Sequence, residues 1–169
     1  MKTLWALLLA FTAGSALARQ GIPVVDFVDV PVSASTSKAV AVVQVRAAIT
    51  AAALINKWDV EPDGDALRLT LVENHFHTVV VKVSYSAAAY SVLYVDSKEM
   101  DYLPPDRAFT HHSSPGMAQD AIAKQQAKFA RYAESTKAVP REGTLIHPFY
   151  EEWVIELLRG VRRQLIVAQ

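Results

Sequence analysis

The chain has 169 residues, a formal net charge of zero and no cysteine. This length suits a single domain, and the charge balance argues against a strongly basic nucleic-acid-binding protein. Hydrophobic residues make up 51% of the chain and charged residues 20%, which excludes wholesale disorder, and the lack of cysteine excludes disulfides and thiolate chemistry.

The first 18 residues have the pattern of a cleavable signal peptide. Lys2 precedes an apolar run over 4–13, and small residues follow, with Ala16 and Ala18 at the −3 and −1 positions of an A-x-A cleavage site. The apolar run is too short for a bilayer, which needs about 20 residues. We therefore expect cleavage after Ala18, export to a bacterial periplasm or secretion beyond it, and no transmembrane segment in the mature chain.

The next two segments are predicted to be a leader and a helix. Residues 19–36 are predicted to be a mobile leader or an edge strand, because Pro31 cannot donate a hydrogen bond to a central ladder. A helix is predicted over 37–56, where small and branched apolar residues recur at spacings of three and four, with Ser37 as its N-cap.

Alternating hydrophobicity predicts β structure over 57–97. Apolar residues recur with a period of two around Leu69, over 75–85 and over 90–97. The connections between these runs are short, which requires antiparallel pairing. Strict alternation through the last run places Asp96 on the same face as Tyr94.

Two further helices complete the predicted elements, one over 118–133 and an amphipathic one over 148–167. The class is therefore α+β. We expect a three- to four-stranded antiparallel meander with the N- and C-terminal helices on one face and an inserted helix. We expect residues 37–169 to form one domain, with 103–145 as an insertion.

The order of motifs resembles a family of small uncharacterised bacterial exported proteins, many of them lipoproteins. The similar features are Trp58, an Asp-Ser-x4-Tyr strand end at Asp96 and an Ile-His-x2-Tyr-x2-Trp helix start at Ile146, within about 42–102 and 146–166. The resemblance implies a single α+β module of the cell envelope with no assigned activity. The chain departs from the family in lacking a lipidation cysteine and in carrying an insertion, 103–145.

The outward face of the predicted sheet is unexpectedly apolar. One-sided antiparallel sheets usually present polar side chains to solvent, so this face is either a binding patch or is covered. We predict that the helix over 118–133 packs on it; packing at a sheet edge and a mobile helix are the alternatives. The residues of this face are Phe76, Val80, Leu93 and Val95.

Three histidines form a second candidate site. His75 and His77 are two residues apart on a predicted strand and would share a face, and His147 could complete a Zn²⁺ or Cu²⁺ site. Alternatively, His77 is a hydrogen-bonded residue of the inner face and His147 lies near a helix start. The pair Asp96-Ser97 suggests hydrolase chemistry together with a histidine. However, the chain has no G-x-S-x-G motif, and the same two residue types are common in turns.

No Walker A, G-x-G-x-x-G, H-E-x-x-H or EF-hand pattern is present in the sequence. The sequence therefore predicts a non-enzymatic periplasmic binding or interaction module, without a cofactor, whose partner is a protein or another envelope component. The alternative is a periplasmic protein that binds a small ligand or metal through the histidines, and a hydrolase is the third interpretation.

Overall fold

The computed structural model describes residues 21–32, 40–102 and 138–167. The elements in chain order are β1 (Val25–Pro31), α1 (Val42–Ile55), β2 (Trp58–Asp63), β3 (Ala66–Glu73), β4 (His77–Tyr85), β5 (Ala89–Lys98), β6 (Ala138–Pro140) and α2 (Phe149–Val167). The strands form one antiparallel sheet in the order β2-β3-β4-β5-β1-β6. The α+β class is confirmed, although the sheet is larger than predicted. Among these residues, no helix is long and apolar enough to cross a membrane.

Strands β2 to β5 form the predicted meander because each connection is short. Gly64, at a φ of +61°, lies in the two-residue connection between β2 and β3, where a left-handed residue matches the twist of the flanking strands. The hairpin register pairs Leu69 with Val60 on one side and with Val81 on the other.

The core lies between the inner face of the sheet and one side of the two helices. Inward residues alternate along each strand, as their burial shows. Both helices face this surface, with α1 packed against α2. The buried sheet residues include Leu67, Leu69, Leu71, Val79, Val81, Val83, Tyr90 and Val92, and the buried helix residues include Val45, Ile49, Ala52, Val154, Leu157 and Val161.

The prediction of a leader or edge strand over 19–36 was wrong for the part that forms β1. This strand lies inside the sheet, between β5 and β6. Pro31 is tolerated because it is the last residue of the strand, where a missing N–H costs the ladder least. The strand on the other side of β1 is β6, which lies within the predicted insertion. It is three residues long, too short to give a periodic signal in the sequence.

Helix α1 begins later than predicted. Its N-cap is Ala41, which has no side-chain acceptor, and the Gln44 side chain accepts the Ala41 N–H at 2.9 Å. Ser37, predicted to be the N-cap, and the predicted helix over 118–133 lie outside the described residues. The predicted C-terminal helix is confirmed as α2.

Candidate functional site

One end of the sheet brings together several connections. The strand register places the start of β2, the end of β3, the start of β4 and the end of β5 side by side. The start of α2 joins them, because the His147 N–H donates to the Met100 carbonyl at 2.8 Å. We call this region, residues 56–58, 73–77, 98–102 and 146–153, the turn end.

Backbone strain is concentrated at the turn end. Six non-glycine residues of the described segments have a left-handed φ, and five of them lie here. Such conformations are sparsely populated for L-residues and cluster at functional sites. The five are Lys57 (62°), Asn74 (54°), His75 (62°), Glu99 (54°) and Asp101 (49°).

Two of the three predicted histidines meet at the turn end. His77 Nδ1 lies 2.5 Å from the Glu99 carbonyl oxygen, which can only accept, so Nδ1 carries the hydrogen. The buried His147 accepts the Phe149 N–H at its own Nδ1, at 3.2 Å, in the first turn of α2. The two rings stack with centroids 5.9 Å apart. Both histidines therefore tie the start of α2 to the sheet.

His75 does not join this pair as a strand neighbour. The prediction that it shares a strand face with His77 was wrong, because β4 begins at His77 and His75 lies exposed in the preceding turn. Within residues 21–32, 40–102 and 138–167, no group of three or more His, Asp or Glu side chains is placed to hold a metal ion.

Two aromatic residues of α2 extend the histidine pair into a cluster. Phe149 lies against both imidazoles, and Trp153 follows one helical turn later on the same side. The cluster extends from His77, at the start of β4, to Trp153, which also lines a groove. The centroid separations are 4.4 Å for His147–Phe149, 5.6 Å for Phe149–Trp153 and 6.4 Å for His77–Trp153.

An open groove of about 220 Å³ lies between the α1–β2 connection, the end of β3 and α2. Its apolar wall is formed by Trp58, Trp153, Leu71 and Ile55; Trp58 and Leu71 are buried, and Ile55 is exposed at the rim. Its polar lining consists of Asn56, Lys57, Glu73 and Glu156.

The charged side chains of the groove differ in how they are paired. Glu156 accepts hydrogen bonds from Arg163 at 3.1 Å and from Arg159 at 3.3 Å. The Arg163 bond is the main cause of the lowered pKa of Glu156, with Arg159 acting in the same direction. Lys57 and Glu73 form no ion pair with any residue that the structure describes. Among the described residues, the groove therefore contains one ammonium and one carboxylate without an ion-pair partner.

Val80 and Leu93 lie on the outer face of the sheet, as predicted. They alternate with the buried Val81 and Val92, and both are half-buried. Because Leu93 pairs with Lys82, it is the diagonal neighbour of Val80. Helices α1 and α2 occupy the opposite face, so no helix in the described part of the chain covers this pair.

The other two predicted outer-face residues lie in irregular backbone. Val95 is the unpaired residue of a β-bulge, because Val80 pairs with Asp96 and Val81 with Tyr94. Phe76 belongs to the β3–β4 turn rather than to β4. Both are exposed, Val95 at 40% and Phe76 at 69% of their surface.

The predicted face of Asp96 was wrong because of this bulge. The extra residue reverses the alternation, so Asp96 lies opposite the outer residue Val80 and Ser97 opposite the inner residue Val79. Ser97 bonds the Tyr94 hydroxyl at 2.8 Å, and Asp96 Oδ1 accepts the Ser97 N–H. The pair is thus engaged in local structure at the strand end.

A polar cluster near β1 was missed by sequence reasoning. Asp26 accepts the N–H of Tyr94 at 2.8 Å and two bonds from Arg141, whose Nη2 also donates to the Tyr94 carbonyl. The Tyr150 hydroxyl donates to the Val25 carbonyl at 2.8 Å. Burial raises the pKa of both tyrosines, and most strongly that of the almost fully buried Tyr150.

The comparisons with known proteins give no relative. No family model, no curated protein and no solved structure matches the chain.

Sequence reasoning also missed the groove at the turn end. Its residues are separated by about 100 positions and share no motif. One available signal was a pair of tryptophans: Trp58 opens the predicted β region, and Trp153 lies in the second turn of the predicted C-terminal helix.

Proposed function

We propose that the chain is an exported, non-enzymatic binding module that contacts a protein partner in the cell envelope through the outer face of its sheet. The observation that carries this proposal is the apolar pair Val80 and Leu93 on the face opposite the two helices, with the exposed Val95 beside it. Apolar side chains in that position are typical of interaction surfaces.

The surroundings of this pair fit a protein partner. Lys82 and Asp96 lie directly across from Leu93 and Val80 in the ladder, and Arg68 pairs with Lys82 on the other side. An apolar centre with charged residues of both signs around it is the usual anatomy of a protein–protein interface.

The edges of the sheet are less suited to adding a strand from a partner. The edge strands are β2 and β6. The first contains Pro62 with the exposed Asp59 and Glu61, and the second ends at Pro140. Proline and charge are the features by which edge strands avoid pairing, which favours docking on the face.

The export part of the proposal rests on the amino-terminal sequence. The apolar run over 4–13 and the alanines at 16 and 18 have the order of a cleavable signal. Amino-terminal sequencing of the protein recovered from an exporting bacterial cell tests it. A first residue of Arg19 supports it, and an intact start at Met1 in the cytoplasmic fraction contradicts it.

Site-specific photo-crosslinking tests the binding surface. A photoreactive residue replaces Val95, and a matched control replaces the exposed Asp59 on β2. We expect a discrete crosslinked product in expressing cells from position 95 alone, and its loss in Leu93→Asp. A product from both positions, or from neither, contradicts the proposal, and a crosslink to a second copy of the chain replaces the protein partner with a homodimer.

A further inference from the structure

The groove at the turn end offers a second site, distinct from the outer sheet face. We propose that it binds a small zwitterion with an apolar side chain, that is, a free amino acid of about the size of leucine. This inference concerns other residues than the proposed protein-binding face, so either can fail without the other.

The apolar wall accounts for the side chain of such a ligand. Trp153 is half-buried and reaches the groove from α2, while Ile55 lies exposed across from it at the end of α1. Leu71 and Trp58 form the buried floor. An aliphatic side chain placed here removes apolar surface of both Trp153 and Ile55 from water.

The charges account for the two ends of the ligand. A purely cationic ligand would be repelled by Lys57, and a purely anionic one by Glu73, since neither side chain is paired within the described segments. Glu156 contributes less, because its carboxylate already accepts bonds from two arginines. An ammonium near Glu73 and a carboxylate near Lys57 satisfy both groups.

The volume sets the size of the ligand. The open groove has a volume of about 220 Å³, whereas sites for drug-sized molecules range from about 300 to 1,000 Å³. This size suits one amino acid better than a peptide several residues long.

Titration of the purified chain with three matched compounds tests the proposal. L-Leucine carries both charges, 3-methylbutylamine lacks the carboxylate, and 4-methylpentanoate lacks the ammonium. Binding is followed by amide chemical shifts in NMR spectra, which also locate it. We expect saturable shifts at residues of the groove with leucine, and affinities lower by at least about tenfold, or about 1.4 kcal/mol, for the other two.

Single-charge variants assign the two ends. Glu73→Gln is expected to weaken leucine binding about tenfold and, because it removes a like charge, to strengthen 4-methylpentanoate binding. Lys57→Asn keeps a residue that tolerates the left-handed φ of 62°. It is expected to weaken leucine binding and, because it removes a like charge, to strengthen 3-methylbutylamine binding. The matched controls are Glu61→Gln and Lys98→Gln, both at exposed positions outside the groove.

Several outcomes would overturn the proposal. These are no saturation with leucine, equal binding of leucine and either analogue, and equal weakening by the control variants. Shifts confined to Val80, Leu93 and their neighbours would also reject it, since they would place the ligand on the outer sheet face.

Discussion

Arg141 holds the Asp26 carboxylate in a two-pronged hydrogen bond, with Nε 2.6 Å from Oδ2 and Nη2 3.0 Å from Oδ1. The Asp26 carboxylate also accepts the Tyr94 N–H, at the point where the β1–β5 register shifts beyond Phe27. This contact joins β1, β5 and the residue after β6, and so fixes a strand whose sequence indicated only a leader or an edge.

Replacing Asp26 by asparagine should destabilise the fold. The variant leaves the partly buried guanidinium of Arg141 without its counter-charge, and hydrogen bonds to charged groups contribute about 1.5–3 kcal/mol. Since the Arg141 side chain is 37% exposed, we expect a loss of about 1–2 kcal/mol after solvent screening. The shift of the urea unfolding midpoint, at an unchanged m-value, measures this loss.

The matched control is Asp63→Asn, which removes the exposed Lys82–Asp63 pair at 3.1 Å. An exposed pair contributes about 0–1 kcal/mol, so this variant should remain close to the parent. Equal effects of Asp26→Asn and Asp63→Asn would show that Asp26 does not anchor β1.

The close approach of the helices depends on Gly160 of α2. A Cβ at this position would lie 3.1 Å from the Ala52 Cβ and 2.8 Å from Asn56 Nδ2, which donates to the Ala52 carbonyl. Gly160→Ala gains up to about 1 kcal/mol of helix propensity, yet overpacking costs about 1–3 kcal/mol. We expect a net loss of about 1 kcal/mol in thermal or urea unfolding.

Adding Ala52→Gly tests the cause of that loss. It removes one of the two clashing groups, so its cost in the Gly160→Ala background should be smaller than its cost in the parent. Additive losses would contradict the packing explanation.

Much of the fold follows from local patterns, and the site does not. The periods of two in β3 to β5 and the helical stripe of α2 are visible in sequence because one face of each element is buried. A single extra residue at Val95 shifted Asp96 to the other face, which periodicity alone does not reveal. His77 and His147 are 70 positions apart, and only the docking of α2 on the sheet end brings them together.

Tyr150 should make the stability fall at high pH. Burial raises the pKa of Tyr150 above the ordinary tyrosine value of 10.0, so the unfolded chain loses that proton first. Above about pH 10 the unfolded state binds fewer protons than the folded state, and the free energy of unfolding therefore decreases as pH rises. The loss of stability caused by Tyr150 reaches about 1.4 kcal/mol at one pH unit above the pKa of this tyrosine in the unfolded chain.

Tyr150→Phe isolates this effect. The variant loses the bond to the buried Val25 carbonyl, which should cost about 1–3 kcal/mol near neutral pH. Its stability should then fall less than that of the parent between about pH 9 and 11. If the free energy of unfolding, measured with urea, falls equally in the parent and in Tyr150→Phe over this pH range, the assignment to Tyr150 is wrong.

An acidic substitution should have very different effects on stability at two neighbouring positions of β5. Val92 is buried, with 1% of its surface exposed, and Val92→Asp places an unpaired charge in the core, so we expect loss of folding. Leu93→Asp faces Lys82 across the ladder, and we expect a change of about 1 kcal/mol or less. Circular dichroism and urea unfolding distinguish the two; equal damage would place Leu93 in a second packed layer.

Thiol labelling tests whether the outer sheet face is open in the isolated protein and occupied in the cell. The chain contains no cysteine, so Leu93→Cys gives one reactive group, with the buried Val92→Cys as its control. We expect rapid labelling of Leu93→Cys in the purified protein, slow labelling of it in intact expressing cells, and slow labelling of Val92→Cys in both. Equal labelling rates of Leu93→Cys in the purified protein and in cells would contradict it.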